Sequence, residues 1–159
     1  MSQTAARQTI DIRLTSPREA GALALVEELD AYLTGLYPPD ANYLFSIDEL
    51  CQPNVSFYAA YVEGEAVACG AVVAYSEYVE IKRVFVRPDM RGRGFAQAII
   101  AQLETRSLEL GYASLRLETG TAQPDAIALY ERCGFLRRGP FGDYPDIPLS
   151  VFMEKALVR

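Results

Sequence analysis

Short alternating or apolar stretches along the chain predict its β-strands. A period of two residues, or a run of β-branched and aromatic residues, is typical of a strand. The turns Glu63-Gly64 and Ser76-Glu77 join three such stretches, which predicts an antiparallel meander. We expect the middle stretch, residues 66–75, to be buried on both faces because it is almost entirely apolar. The predicted strands are residues 10–14, 55–62, 66–75, 78–86, 114–118 and 149–157, with another beginning at Phe135.

The first predicted helix begins at Ser16-Pro17. Ser16 would be its N-cap, Pro17 its first residue and Glu19 the partner in a capping box. The sequence Tyr37-Pro38-Pro39 would end it. Its predicted buried stripe has helical spacing and consists of Ala22, Val26, Leu29, Leu33 and Leu36.

Three further helices are predicted from caps and apolar spacing. A short one covers residues 47–51, with Ser46 as its cap. Another follows Gly94 and ends at Gly111, a residue suited to a helix C-terminus. The last covers residues 125–132, after Pro124. The third of the four helices is expected to bury Ala96, Ile99, Ile100, Leu103 and Leu110.

The order of these elements predicts one mixed α/β domain. Neither a repeat nor an internal linker interrupts the chain of 159 residues, which is long enough to form a substantial core. We expect a loose tail at residues 1–8 and a single domain at residues 9–159.

Composition excludes several kinds of chemistry. The chain contains no histidine, which removes Ser-His-Asp triads, Cys-His pairs and most transition-metal catalysis. The three cysteines are scattered without CxxC spacing, which argues against a disulfide framework and a zinc site, so no metal is expected. No apolar run is long enough to span a membrane and no signal peptide opens the sequence, which predicts a cytoplasmic protein with no membrane partner.

The net charge of −6 is unevenly distributed along the chain. Residues 1–80 hold 3 basic against 12 acidic residues, whereas residues 81–159 hold 12 basic against 9 acidic residues. So acidic a chain argues against nucleic acid as a partner. The split indicates a polyanion bound by the second half and a cation bound by the first, although solvated surface charge would give the same counts.

A basic, glycine-rich turn lies between the strand ending at Val86 and the next helix: Arg91-Gly92-Arg93-Gly94-Phe95-Ala96. Backbone N–H groups at a helix start are unpaired, and the helix dipole favours an anion there. Glycines let a phosphate approach the backbone, and arginines can pair phosphate oxygens bidentately. The turn fits neither GxGxxG nor GxxxxGK[ST], so a dinucleotide fold is weakly supported and a P-loop is excluded. The alternative is a surface turn without a ligand.

The same six residues resemble the acyl-CoA pyrophosphate signature of the GCN5-related N-acetyltransferase (GNAT) family, [Gln/Arg]-x-x-Gly-x-[Gly/Ala], at every defined position. A second stretch, Gln123–Phe135, resembles the family's amide, Ala, Leu-Tyr and Gly-Phe pattern, with Gln123 in place of the usual Asn. The resemblance covers about residues 8–157. It implies a mixed, mostly antiparallel central sheet flanked by helices, with one strand splayed from its neighbour at the acyl-CoA site.

The resemblance also implies roles for individual residues. The turn at 91–96 and Gln123 would bind acyl-CoA, and the free backbone of Val84, Phe85 and Val86 would pair with its pantetheine arm. Tyr130 would protonate the departing thiolate, because the pKa of a phenol, about 10, exceeds that of a thiol, about 8.5. The alternative for Tyr130 is an aromatic residue packed on a helix.

Glu80 lies 11 residues before Arg91, where some family members place a general base. Its carboxylate, or water, would take a proton from an ammonium acceptor. Lys82 and Arg83 beside it would lower its pKa and weaken it as a base. The alternative is a solvated glutamate at a strand end.

Two loops, residues 36–43 and 139–148, are implied to form the acceptor pocket. Their aromatic and acidic residues suit a small amine with an apolar body, although loops that bind nothing are the alternative. The predicted substrate-binding residues are Tyr37, Tyr43, Asp143 and Tyr144.

The function predicted from this resemblance is acetyl transfer from acetyl-CoA to the primary amine of a small molecule by direct attack. The alternatives are a protein or peptide N-acetyltransferase and a non-catalytic acyl-CoA-binding module. Association as a homodimer is left open.

Overall fold

A computed structural model describes residues 10–158, so the tail predicted at residues 1–8 lies outside the described residues. The strands are β1 (Asp11–Leu14), β2 (Val55–Val62), β3 (Glu65–Ala74), β4 (Val79–Val86), β5 (Ser114–Gly120), β6 (Leu136–Arg138) and β7 (Ser150–Ala156). The helices are α1 (Ala20–Leu36), α2 (Ile47–Leu50), α3 (Phe95–Glu109) and α4 (Pro124–Arg132), with 3-10 turns at Pro39–Ala41 and Pro88–Met90.

The strands form one seven-stranded sheet in the order β1-β2-β3-β4-β5-β7-β6. Among the described residues, the pair β4–β5 is parallel and every other neighbouring pair is antiparallel. The meander β2–β3–β4 is confirmed. So is the mixed, mostly antiparallel sheet that the family resemblance implies.

Each face of the sheet carries its own hydrophobic cluster. One cluster packs α3 and α4 against the sheet, and the other packs α1 and α2 against the opposite face. The strand β3 contributes Val67, Ala68 and Val72 to the first cluster and Cys69 and Ala71 to the second. Its burial on both faces is therefore confirmed, as expected for a strand in the middle of a covered sheet.

β4 and β5 separate halfway along β4. Their paired residues end at Ile81 and Leu117, so the stretch Lys82–Val86 has no partner on the β5 side. Within this stretch Arg83 has a positive φ of 62°, opposite a register shift between Cys69 and Ala71 of β3. The resulting bulge turns the end of β4 away from β5.

The side chain of Arg83 ties this bulge to the α1 side of the sheet. It is buried, forms an ion pair with Asp30 of α1 and donates a hydrogen bond to the Phe45 carbonyl at 2.6 Å. The Cys69 thiol donates to the Arg83 carbonyl at 3.3 Å. These contacts fix where β4 leaves its neighbour.

The predicted start of α1 is wrong by three residues. The helix begins at Ala20, and its N-cap is Glu19, whose carboxylate accepts hydrogen bonds from the backbone N–H groups of Gly21 and Ala22, both at 3.0 Å. Ser16 instead accepts from the Arg18 N–H at 3.2 Å in the preceding turn. A carboxylate reaches the same free N–H groups as a hydroxyl, and its charge suits the helix dipole.

Two predicted core positions are wrong because they lie at helix ends. Leu36 is 36% exposed and Leu110 is 38% exposed. Leu25, which the predicted stripe omitted, is buried, and Ala96 is half-buried.

No helix within residues 10–158 has both the length and the apolar character needed to cross a membrane.

Candidate active site

The basic turn before α3 has the backbone of an anion site. Gly94 caps the helix and has a φ of 85°, and Gly92 has a φ of 77°. A Cβ at either position would meet no atom within 4 Å, so the backbone conformation, rather than space, favours glycine. Phe95 is buried beneath the turn and anchors the helix start. The first N–H groups of α3 have no partner within the helix and follow directly on this anchored turn.

The turn also presents free positive charge. Arg91 and Arg93 are exposed, and within residues 10–158 neither forms a salt bridge. Arg91 donates from Nε to the Val86 carbonyl at 3.3 Å, which holds its guanidinium beside the end of β4. Arg87, by contrast, pairs with Glu65 and Asp89. Arg91 and Arg93 are thus available to an incoming phosphate.

A cavity of about 100 Å³ lies where β4 and β5 separate. Residues of α1, the loop after α1, β4, β5 and α4 line it. It brings together five residues predicted for the site, which come from separate parts of the sequence: Tyr37, Tyr43, Val84, Gln123 and Tyr130. Phe85 instead belongs to the cluster on the α1 side, and Val86 packs against the opposite cluster.

Tyr130 lies on α4 and is 8% exposed. Its ring contacts Phe135 edge to face, with ring centroids 5.7 Å apart. Burial raises the pKa of Tyr130 well above its ordinary value. The hydroxyl therefore stays protonated at neutral pH, as a proton donor must.

Tyr37 joins the end of α1 to the start of α4. Its hydroxyl donates to Gln123 Oε1 at 3.1 Å, although the two residues are 86 positions apart. Gly120 makes room for this contact, since a Cβ there would lie 1.9 Å from the Tyr37 hydroxyl oxygen. Burial raises the pKa of Tyr37, which keeps the hydroxyl a donor.

Glu80 contacts Tyr144 of the loop at 139–148, called the acceptor loop below, and does not line the cavity. It is only 2% exposed, so the alternative of a solvated strand-end glutamate is wrong. The Tyr144 hydroxyl donates to Glu80 Oε2 at 2.5 Å, and Lys82 Nζ lies 3.2 Å from the same oxygen. Its assignment as the general base stays a prediction.

Tyr144 fastens the loop between β6 and β7 to the sheet. Its ring packs edge to face against Tyr43, Phe141 and Phe152, with centroid distances of 5.2, 5.4 and 5.6 Å. Burial, followed by the charge of Glu80, raises the pKa of Tyr144. Neither Tyr144 nor Asp143 lines the cavity, and Asp143 is exposed.

The sequence pattern did not single out Glu118, which lines the cavity together with the charged residues Lys82 and Arg83. Glu118 is partly buried on β5, and burial raises its pKa to about 7, with the charge of Glu80 acting in the same direction. In the sequence Glu118 was the last residue of a predicted strand, and nothing local distinguished it from surface charge. Within residues 10–158, no group of three or more His, Cys, Asp or Glu side chains is arranged to hold a metal ion.

Comparison with known proteins shows that this sequence is similar to acetyltransferases. The model of the acetyltransferase (GNAT) family matches residues 22–135. The chain is 41% identical to an IAA acetyltransferase of Azospirillum brasilense over 93% of its own length and 98% of that protein. It is 31% identical to the uncharacterized N-acetyltransferase YsnE of Bacillus subtilis, over 85% of this chain and 91% of that one.

Solved structures agree with these relatives. A Klebsiella pneumoniae protein assigned as an acyl-CoA N-acyltransferase superposes with a TM-score of 0.81 at 38% identity, covering 95% of this chain and 99% of that chain. The PaiA N-acetyltransferase of Thermoplasma acidophilum, solved with coenzyme A, has a TM-score of 0.74 at 15% identity, with coverages of 93% and 99%, and supports the fold alone.

Proposed function

The chain belongs to the acetyltransferase (GNAT) family and is an N-acetyltransferase, and we propose that it transfers acetyl from acetyl-CoA to the primary amine of a small molecule. The observation that carries this proposal is the cavity at the separation of β4 and β5, because it joins a protonated Tyr130 to the unpaired backbone of β4.

The residues around the turn at 91–96 fit the phosphates of acetyl-CoA. Gly92 and Gly94 have positive φ angles, Arg91 and Arg93 are exposed and form no salt bridge within residues 10–158, and the N–H groups at the start of α3 follow directly. The remaining length of the ligand would follow the open side of β4 toward Val84, which lines the cavity. This route would lead from the exposed turn to the cavity.

The chemistry needs no covalent enzyme intermediate. The acceptor amine attacks the thioester carbonyl, whose oxygen would be stabilised by a backbone N–H of β4. Tyr130 gives its proton to the leaving thiolate. Cys133 does not line the cavity, and it is a poor nucleophile because burial raises the pKa of its thiol.

The charges around the cavity favour an ammonium acceptor. Lys82 is paired with Glu80, and Arg83 is paired with Asp30. Glu118 therefore brings an additional negative charge when it ionises. A cationic amine would balance that charge, whereas an acceptor carboxylate would need a cation that is not already paired.

The small, loop-covered cavity favours a small molecule over a protein tail, which would need an open groove. The name of the Azospirillum relative specifies IAA as its substrate. IAA therefore belongs among the acceptors to be tested with this protein.

The decisive experiment measures CoA release from acetyl-CoA across amines, amino acids, polyamines, short peptides and IAA. With the best acceptor, Tyr130→Phe should lower kcat by about 100-fold, the lower range for lost acid–base catalysis. The variant should keep the rise in melting temperature that acetyl-CoA produces, because a ligand of the folded state stabilises it.

The matched control is Tyr32→Phe, which removes a hydroxyl from an exposed position on α1. It should behave like the unmodified protein. If acetyl-CoA binds and no acceptor raises CoA release, the protein is a binding module instead. Best turnover with peptides would favour the protein N-acetyltransferase.

A further inference from the structure

Resting on the proposed acetyl transfer, we propose that Glu118 accepts the proton of the acceptor ammonium, and that Glu80 instead holds the acceptor loop in place. The proposal assigns the role of general base to β5 rather than to β4.

Glu118 is the first residue of β5 beyond the last pair with β4. That last pair is Ile81 with Leu117, so Lys82 and Glu118 are the first residues on either side of the opening. Leu117 is buried in the cluster beneath α3 and α4. Because side chains alternate along a strand, Glu118 projects from the opposite face, as Glu80 does on β4.

Glu118 and Tyr130 reach the same cavity from different faces of the sheet. Tyr130 belongs to the cluster on the α3 and α4 side, whereas Glu118 lies on the α1 side. The opening between the strands connects them. A proton acceptor and a proton donor therefore border, from opposite faces of the sheet, the gap in which the thioester would react.

Glu80 lacks the freedom that a base needs. It is 2% exposed and does not line the cavity. One of its oxygens, Oε2, already contacts both the Tyr144 hydroxyl and the Lys82 ammonium. Glu80 therefore acts as a positioning residue, since Tyr144 packs against Tyr43 at the rim of the cavity.

The surroundings of Glu118 suit a group that gains and loses a proton near neutral pH. Burial raises its pKa to about 7, and Glu80 adds to the rise, whereas Lys82 and a hydrogen bond with Ser150 oppose it. The base is therefore partly ionised at neutral pH, where proton transfer is efficient. The ionisable groups that face it or share its cavity are Glu80, Lys82 and Arg83 of β4, Tyr37 and Tyr43 of the α1 side, Tyr130 of α4 and Tyr144 of the β6–β7 loop.

The proton balance of the reaction is complete. The acceptor R–NH₃⁺ gives one proton to the Glu118 carboxylate, and the resulting R–NH₂ forms a C–N bond with the acetyl carbon. When the C–S bond breaks, the thiolate takes the Tyr130 proton to become the CoA thiol. The second nitrogen proton restores Tyr130 through solvent, the third remains on the amide, and Glu118 releases its proton to water.

The test measures kcat/KM of Glu118→Gln and of the unmodified protein from about pH 5 to about pH 9. The acceptor is the amine that gives the fastest CoA release in the experiment described above. Glu118→Gln should lower kcat/KM by about 100-fold at neutral pH and remove the ionisation near pH 7 from the profile. The KM for acetyl-CoA should change less than about threefold, because Glu118 does not belong to the phosphate turn.

A second measurement compares ethylamine, which is an ammonium ion at neutral pH, with trifluoroethylamine, which is largely neutral there. The loss in Glu118→Gln should be large for ethylamine and below about tenfold for trifluoroethylamine, because a neutral amine needs no base before it attacks. A merely structural role for Glu118 would lower both rates equally.

Two variants complete the design. Glu80→Gln should raise the acceptor KM more than it lowers kcat and should keep the ionisation near pH 7. Glu77→Gln, an exposed glutamate in the turn before β4, should match the unmodified protein. The inference would be overturned if Glu118→Gln kept the ionisation near pH 7 in its pH profile. It would also be overturned if Glu80→Gln alone lost that ionisation. Acetylation by the unmodified protein in the same assay would leave the proposed function intact.

Discussion

At the scale of single residues, burial holds the ionisable groups of this site in useful protonation states. It raises the pKa of Tyr130 and of Tyr144, so both remain hydrogen-bond donors. It raises the pKa of Glu118 to about 7, which makes this carboxyl sensitive to physiological pH. Burying a carboxylate is costly, so Glu118 also affects folding stability.

We expect Glu118→Gln to be more stable than the unmodified protein at pH 8 and equally stable at pH 4. The folded pKa of about 7 lies above the usual value of 4.5, so the fold favours the protonated form and loses stability as pH rises through this window. The difference should approach about 3 kcal/mol at its upper limit. Urea denaturation at both pH values measures it, and a difference independent of pH would contradict the stated pKa.

At the same scale, we expect Cys133→Ser to retain turnover within about twofold. Burial and the nearby charge of Glu104 raise the pKa of the Cys133 thiol, which makes it a weak nucleophile. Mass spectrometry of the unmodified enzyme mixed with acetyl-CoA should find no acetyl group on Cys133. An acetylated Cys133 that disappears on adding the amine would indicate a covalent intermediate.

At the scale of elements, the site depends on how tightly the end of α1 packs on the end of β5. The Tyr37 side chain occupies the space that a Cβ at position 120 would fill. The Tyr37 hydroxyl also donates a hydrogen bond to Gln123, just before α4. One missing Cβ therefore sets the relative positions of three elements around the cavity.

We expect Gly120→Ala to displace Tyr37 and to destabilise the protein by about 1–3 kcal/mol, the usual cost of overpacking. It should also raise the acceptor KM, because Tyr37 lines the cavity. The control is Gly35→Ala on α1, where an added Cβ meets nothing within 4 Å and should stabilise the helix by about 0.5–1 kcal/mol. Equal melting temperatures for the two variants would contradict the packing argument.

The Tyr144 hydroxyl and the Tyr144 ring both hold the loop between β6 and β7. We expect Tyr144→Phe to keep the aromatic packing and to lose the hydrogen bond to Glu80, at a cost of about 1–3 kcal/mol for a buried polar group. Limited proteolysis should then cut the loop at 139–149 faster than in the unmodified protein. Cleavage at an unchanged rate would show that packing of the Tyr144 ring against Tyr43 and Phe152 alone holds the loop.

At the scale of the whole molecule, the sheet separates into two arms around the site. The strands β1–β4 form one arm, β5, β7 and β6 form the other, and the parallel pairing that joins them covers only three residue pairs. Arg91 and Arg93 follow the last strand of the first arm and belong to the more basic second half of the sequence. Attraction of a polyanion to that surface should weaken as salt rises.

We expect the KM for acetyl-CoA to rise with ionic strength, and Arg93→Gln to raise the KM at low salt and flatten its salt dependence. The control is Arg13→Gln, an exposed arginine of β1 that pairs with Asp11. It should leave the salt dependence unchanged. Equal slopes for Arg93→Gln and the unmodified protein would exclude Arg93 from the phosphate site.

Local sequence was sufficient to predict the strands, the meander and the glycine-rich turn. Side-chain period and turn chemistry involve neighbouring residues, so Val55–Val62 was predicted to the residue and Gly94 was recognised at a helix start. Local rules failed where two nearby groups could serve the same N–H donors, as when Glu19 rather than Ser16 capped α1.

Tertiary structure alone decided how the site residues are partnered. Tyr144 reaches Glu80 across 64 positions of sequence, and Tyr37 reaches Gln123 across 86. These long-range contacts bury Glu80 away from the cavity and leave Glu118 at its edge. Protonation depends on burial and on neighbouring charge, and both arise only when distant strands and loops pack together.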